Sequence, residues 1–284
     1  MKYYLFFIIL ITEALSQDFS GNISFESKAL NDKSSYSIAI QPKYYQNNFE
    51  IELFARYDSE DDERTYFDVQ ELNYLFFNDN FELQIGLGIV FWGVTEFVHL
   101  VDIINQTNFA ENINGEEKLG QPMLHLSIPK DFGVFDFFIL PYFRERIFPE
   151  ENIEATYESS KKEKHIDFAI RYSHSIGNID FGIYHFKGTS REPTFLPVPF
   201  YEQISQTGID IQLVTGQWLW KLESIYRTGQ VEEFLSYVFG YEYTFVGILN
   251  SNIDISIIGE YVHDNRGDNS TTYYENDLML GSRI

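Results

Sequence analysis

The chain has 284 residues, a formal charge of −23 from 20 basic and 43 acidic residues, and no cysteine. This composition excludes disulfide bridges and thiolate metal sites, and the excess of negative charge argues against a nucleic-acid partner. Aromatic residues make up 18% of the chain, which is high for a soluble domain and typical of barrels whose rings face lipid.

Residues 1–16 have the pattern of a secretory signal peptide. One basic residue precedes a short apolar run, and small residues at Ala14 and Ser16 form a cleavage site. The run is shorter than the roughly 20 residues that a membrane-spanning helix needs. We therefore expect export, with Gln17 as the first mature residue, to either the periplasm or the outer membrane.

Downstream of the signal peptide, apolar and polar side chains alternate in many segments. In residues 234–245, Leu, Tyr and Phe at odd positions oppose Ser236, Gly240, Glu242 and Thr244. This period of two places the two sets on opposite faces of a β-sheet. It predicts about fourteen strands, at 19–30, 35–45, 49–58, 65–77, 81–91, 122–128, 133–142, 166–175, 179–187, 207–214, 217–227, 233–246, 254–263 and 272–283.

The connections between these strands differ in length on the two sides. Every second connection is short and contains Asn, Gly or Asp, and all the long ones alternate with these. Outer-membrane barrels have short periplasmic turns and long outer loops. The sequence therefore predicts an all-β fold, a transmembrane antiparallel up-and-down β-barrel over residues 17–284. A soluble β-sandwich is the alternative, and extraction without detergent would support it.

The fifth connection is a long insertion at residues 92–121. Val98, Val101 and Ile104, with Leu100 beside them, have helical spacing, so we expect a short helix in a loop that folds into the barrel. Such a loop narrows a pore, and the polar residues predicted at this constriction are Glu96, His99, Asp102, Asn105, Glu111 and Lys118. The alternative is a loop folded over the outer mouth without a selective role.

Charged residues on the polar face of the strands are predicted to face the lumen, because a charge facing lipid costs about 2–4 kcal/mol at the midplane. The predicted lumen-lining residues are Glu52, Arg56, Glu82, Arg171, Lys221, Glu223, Arg227, Glu242 and Glu260. Both signs occur, so these residues either brace the wall as ion pairs or select the solute.

Two further stretches are expected near the outer end. Arg144, Glu145 and Arg146 follow Pro141 and are predicted at the rim, where the arginines could pair with acids of the insertion or with anionic lipid A. The proline-rich residues 188–202 form a stiff loop and a possible second lid.

Signatures of catalysis are weak. The sequence has no G-x-S-x-G, H-E-x-x-H or P-loop motif, and its six histidines are scattered. We expect no enzyme activity, no cofactor and no metal centre, although the acidic runs at 59–64 and 264–268 could bind Ca²⁺ weakly. A hydrolase embedded in the barrel would need a Ser/His pair brought together by folding.

Several motifs resemble a family of proteobacterial outer-membrane porin-like barrels that has no established substrate. They are WGVTEFVHLVDIINQTN (92–108), GEEKLGQPM (115–123), LPYFRER (140–146), HFKGTSREP (185–193), WLWKLESIYR (218–227) and GYEYTFVG (240–247). The W-G and D-I-I-N elements are similar, more distantly, to barrels of the alginate-export type. The resemblance implies a membrane barrel and supplies no catalytic residues.

The chain departs from that family at its end. Residues 277–284 have the pattern of a mid-barrel strand, and Ile284 stands where such barrels usually have an aromatic residue that the assembly machinery reads. We therefore expect a chain truncated at its C-terminus, since an unpaired strand edge is not tolerated in lipid.

The function expected from these features is passive passage of small solutes across the outer membrane. The expected partners are outer-membrane lipids, lipopolysaccharide and the barrel assembly machinery. The alternatives are an outlet for an export system or an envelope assembly factor, followed by the embedded hydrolase.

Overall fold

The computed structural model describes residues 6–9, 18–30, 33–112, 115–148, 154–195, 197–248, 251–272 and 274–284. Fourteen long strands dominate the described chain. They are β1 (Phe19–Leu30), β2 (Lys33–Gln46), β3 (Phe49–Asp58), β4 (Tyr66–Phe77), β5 (Glu82–Gly88), β6 (Gln121–Lys130), β7 (Gly133–Leu140), β8 (Asp167–Ile176), β9 (Ile179–Thr189), β10 (Gln203–Thr215), β11 (Trp218–Thr228), β12 (Phe234–Phe245), β13 (Ile255–Asp264) and β14 (Asn276–Arg283).

These strands form one antiparallel sheet in which each strand pairs with its neighbours in sequence. A segment at Phe6–Ile9, inside the predicted signal peptide, pairs antiparallel with β1. Among the residues that the structure describes, no hydrogen-bonded pairing joins β14 to β1 or to Phe6–Ile9. The strand number and the up-and-down order agree with the sequence prediction, whereas the described strands do not close the sheet on itself.

The strand lengths and faces follow from the alternation in the sequence. Most strands have ten or more residues, the length that a tilted membrane strand needs, about 9–11 residues. In β12, Phe234, Ser236 and Val238 are buried, whereas Leu235 and Phe239, on the other face, are exposed. The same alternation along the other strands gives the sheet an apolar, aromatic-rich surface on one side and a mixed, largely buried surface on the other.

The four longest connections, at 89–120, 141–166, 190–202 and 265–275, lie at one end of the sheet, which we call the loop end. The opposite end, the turn end, has connections of at most nine residues. At the loop end, the connections at 141–166 and 190–202 contribute a small sheet of three short strands, Thr194–Phe195, Pro199–Tyr201 and Thr156–Tyr157. Phe143, Ala155 and Tyr201 form a small buried cluster beside it.

The insertion (residues 92–121) contains no α-helix in its described part, so the helix predicted from Val98, Val101 and Ile104 is wrong. The described helices of the chain are single 3₁₀ turns at Lys162–Lys164 and Gly267–Asn269, and none is long and apolar enough to cross a bilayer. The physical reason is that side chains of the sheet bind the backbone N–H groups that a helix would have used.

Candidate functional site: the insertion and the cavities beside it

The carboxylate of Glu223 on β11 holds the first part of the insertion. One of its oxygens accepts hydrogen bonds from the backbone N–H groups of Val94 (2.7 Å) and Thr95 (3.1 Å) and from the Thr95 hydroxyl (2.6 Å). The other accepts from the N–H of Val101 at 3.2 Å. The Glu223 side chain is fully buried. Converging N–H groups form an anion-binding concavity, here filled by a carboxylate of the sheet.

Glu260 on β13 provides a second anchor of the same kind. Its two oxygens accept from the backbone N–H groups of Glu96 (2.7 Å) and Phe97 (3.0 Å). Buried backbone N–H groups must find partners, and these come from two distant strands rather than from the preceding turn of a helix. The insertion is therefore fixed to the mixed, largely buried side of the sheet, which we call the inner face.

Asn105 fixes the far side of the insertion. Its side-chain oxygen accepts from the N–H of Val90 at 2.9 Å, and its amide donates to the carbonyl oxygens of Gly88 (2.8 Å) and Leu119 (2.9 Å). The residue is only 1% exposed. These bonds tie the middle of the insertion to the two strand ends from which it leaves and to which it returns.

An apolar core lies between the insertion and the inner face. Trp92, Val101 and Ile104 are buried in one cluster with residues of β6 to β12. The Trp92 ring lies 4.9 Å from that of Tyr184, and the Arg171 guanidinium lies 5.1 Å from the Trp92 ring. The insertion therefore packs against the inner face of the sheet through a core of buried apolar side chains.

The connection between β9 and β10 contacts the insertion from the loop end. Arg191 donates to the carbonyl oxygen of Ile104 through two nitrogens, at 3.2 and 3.0 Å, and forms an ion pair with Asp167 at 2.9 Å. Both charged residues are almost fully buried. This contact connects the predicted second lid, residues 188–202, to the centre of the insertion.

A first cavity of about 370 Å³ lies between the insertion and strands β1 to β4. At its wall, the Arg56 guanidinium binds both carboxylate oxygens of Glu111, at 3.0 and 2.6 Å. The Tyr66 hydroxyl donates to Glu111 at 3.0 Å and accepts from the Asn108 amide at 2.7 Å. A bidentate pair of this kind is geometrically specific, so it fixes the insertion on this side as well.

A second cavity of about 660 Å³ lies nearer the turn end, between the insertion and strands β10 to β14. Lys221 contacts Glu96 and lies 3.7 Å from Glu242. Arg283 lies 2.7 Å from Glu96 and 3.5 Å from Glu242. Two cations and two carboxylates thus alternate in one network at the cavity wall. His99 lines the same cavity, with its ring against Phe91.

Lys118 lines both cavities and so lies between them. Its ammonium group pairs at 2.9 Å with Asp102, whose side chain is 1% exposed. Asp102 also accepts a hydrogen bond from the N–H of Trp92 at 3.3 Å. Asp102 therefore faces the interior of the insertion, while Lys118 faces both cavities.

The loop end carries a separate cluster of charges. Arg227 of β11 lies 2.7 Å from the carboxylate of Glu192, and Arg266 contributes further positive charge. Burial alone would raise the pKa of Glu192, but Arg227, Arg146 and Arg266 together hold that pKa at about 2. The carboxylate is therefore ionised throughout the ordinary pH range.

The remaining residues predicted for the lumen and the rim lie at separate places. Glu52 pairs with Lys43 at 3.1 Å, and Arg171 pairs with Asp210 at 2.7 Å. Glu82 is exposed near the turn end. At the predicted rim, Arg144 binds Asp68 (2.7 Å) and the Gly120 carbonyl (3.0 Å), Arg146 binds the Gln106 side chain (3.2 Å), and Glu145 accepts from Tyr157.

Tyr66 and Arg191 both bind the insertion, and the sequence prediction included neither of them. Tyr66 carries no local signal, since it begins a strand and its partner lies 45 residues away. Arg191 stands in the proline-rich stretch that was predicted only as a stiff loop, and its carbonyl partner lies 87 residues away. Contacts over such separations become visible only once the strand register is known.

The structure brings one serine and one histidine together. Ser205 Oγ lies 3.3 Å from His185 Nε2, and the other ring nitrogen of His185 faces Thr207 at 2.9 Å. His185 is exposed on the apolar side of the sheet, and a hydroxyl stands where a triad would have a carboxylate. Among the described residues, no group of three His, Asp or Glu side chains is placed to hold a metal ion.

No protein-family model and no curated protein matches the chain. Several solved structures are similar to this chain. OmpF of Salmonella typhi, in complex with daunomycin, superposes with a TM-score of 0.50 at 7% identity, covering 93% of this chain and 83% of that one. The outer membrane channel DcaP of Acinetobacter baumannii gives 0.42 at 10% identity, covering 91% and 82%. An OmpT loop-deletion mutant of Vibrio cholerae gives 0.38 at 12%, covering 93% and 97%.

These similar structures belong to bacterial outer-membrane proteins. The OmpF superposition reaches a TM-score of 0.50, and at 7% identity it shows a shared fold and nothing about the solute. The narrower resemblance to one porin-like family, and to barrels of the alginate-export type, stays a prediction.

Proposed function

We propose that the protein is a porin-like channel of the outer membrane through which small solutes pass beside the insertion. The observation that carries this proposal is the docking of the insertion on Glu223 and Glu260, which leaves a cavity with charged side chains in its wall on each side of the insertion. The shared fold with OmpF and the exposed apolar side of the sheet support a location in the outer membrane. Lipopolysaccharide and the barrel assembly machinery are the partners that such a location requires.

Within this channel, the residues of the insertion have two kinds of role. Glu96, His99, Glu111 and Lys118 line a cavity and are the groups that a passing solute meets. The side chains of Asp102 and Asn105 are buried and bond to groups of the insertion and of the adjoining strand end, so their role is to hold the shape of the insertion. Filtering by charge and size therefore takes place at the sides of the insertion.

The test is single-channel conductance in a planar bilayer, using the refolded protein and a variant lacking residues 96–118. Removing this segment empties the space between the two cavities, so the conductance should rise. Barrel folding is checked for both proteins by heat modifiability on a gel. An unchanged conductance in a folded variant contradicts a constriction by the insertion, and a folded native protein that conducts nothing would favour a role in export or envelope assembly.

A further inference from the structure

We infer that the second cavity is a binding site for small dipolar solutes, molecules that carry one cationic and one anionic group. This inference rests on the proposed channel function and names the class of solute that the channel favours. It is carried by the alternating network of Lys221, Glu96, Arg283 and Glu242 at the cavity wall.

The network presents both signs of charge within the span of one small molecule. Arg283 bridges Glu96 and Glu242 at 2.7 and 3.5 Å, and Lys221 contacts the same two carboxylates from the β11 side. A solute carboxylate can replace Glu96 at Arg283, while the ammonium group of the solute binds the Glu96 oxygen thereby released. A solute with a single charge can form only one of these two contacts, so either Arg283 or Glu96 is left without a partner from this pair.

Two members of the network are fixed and two are accessible. The side chains of Lys221 and Glu242 are 4% and 10% exposed, whereas those of Arg283 and Glu96 are 57% and 28% exposed. Exposed ion pairs contribute little free energy, so the Arg283–Glu96 pair can open to admit a solute. The fixed pair keeps the charge pattern in place while it does so.

The cavity as a whole carries balanced charge, although the chain has a formal charge of −23. Its walls contain three carboxylates, Glu96, Glu116 and Glu242, and three cations, Lys118, Lys221 and Arg283. With no net charge in the cavity, neither cations nor anions are strongly favoured there. The remaining preference is for solutes that match the local arrangement of charges.

Solute passage can be compared by the swelling of liposomes that contain the protein. The probes are L-alanine, which is zwitterionic, and lactamide and sodium lactate, which have a similar size but different charge. We expect alanine to enter about two- to fivefold faster than lactamide, the range that one exposed ion pair provides. In Glu96→Gln this advantage should disappear and lactate should enter faster, because the cavity then has an excess of one positive charge.

A matched control is Glu232→Gln, which makes the same charge change at an exposed position in the connection between β11 and β12. It should retain the preference for alanine, and folding of each variant is checked by heat modifiability. If lactamide enters the native protein as fast as alanine, or if Glu96→Gln keeps the alanine advantage, the dipolar site is refuted while the channel stands. If no probe enters at all, the channel function itself fails.

Discussion

Replacing Glu223 by glutamine tests whether the sheet holds the insertion in place. The substitution keeps the size of the side chain and removes its charge. One oxygen can still accept from Val94 and Thr95, but an NH₂ group now faces the N–H of Val101, so two donors oppose each other. We expect the segment from Val94 to Val101 to leave the inner face for part of the time.

The size of the effect follows from the four hydrogen bonds to the carboxylate. A hydrogen bond to a charged group contributes about 1.5–3 kcal/mol, and one between neutral groups about 0.5–1.5 kcal/mol. One bond is lost and three are weakened, and because neighbouring contacts are not additive we expect a loss of about 3–5 kcal/mol in docking free energy. Since 1.4 kcal/mol corresponds to a factor of ten, the undocked fraction should rise at least about 100-fold.

Single-channel recording is the assay. In Glu223→Gln, the current should show frequent transitions to a level above that of the native protein, because an undocked segment widens the passage. Glu232→Gln, which removes a charge from an exposed loop, should behave like the native protein. A folded Glu223→Gln with the conductance and noise of the native protein would refute the anchoring role of this carboxylate.

Three further substitutions test individual side chains. Gly120→Ala should lower the thermal unfolding temperature, at a cost of about 1–3 kcal/mol, because a Cβ would overlap the Gln70 carbonyl oxygen; an unaltered temperature would show that this strand end can shift. Arg191→Met should cost about 3 kcal/mol in unfolding experiments, since it leaves the buried charge of Asp167 without this cation, and Lys161→Met at an exposed site should cost nothing measurable. The pKa of Glu192 falls from 4.5 to about 2 on folding, so its contribution to stability is present above pH 4.5 and is lost as the pH falls toward 2. Protease cleavage of the loop at 190–202 should therefore increase over this range in the native protein but not in Glu192→Gln, and identical pH profiles would contradict the ionised cluster.

The strands could be predicted from the sequence because their signal is local. The predicted segment 49–58 coincides with β3, and the segment 233–246 exceeds β12 by one residue at each end. Alternation of side chains is imposed by the sheet itself, so burial on one face leaves a period of two in the sequence. The prediction was less accurate at 81–91, where β5 ends at Gly88 because the chain already turns toward the insertion.

The conformation of the insertion could not be predicted in the same way. Val101 and Ile104 have helical spacing and are both fully buried, yet they lie in an irregular segment. The segment is irregular and not helical because Glu223, 122 residues away in the sequence, binds the backbone N–H of Val101 through its carboxylate. A local pattern can show that a residue is buried, but it cannot show which distant group satisfies its backbone.

The anchors of the insertion also determine when during assembly it can dock. β5 and β6, which flank it, pair with each other, whereas Glu223 and Glu260 lie on β11 and β13, up to 164 residues further along the chain. Contacts over such separations form late, because the entropy of closing a long loop must be overcome first. We expect most hairpins to pair before the insertion reaches its final position. We therefore expect the insertion to dock late in folding, and proteolysis during refolding should find residues 92–121 accessible after the hairpins are already protected.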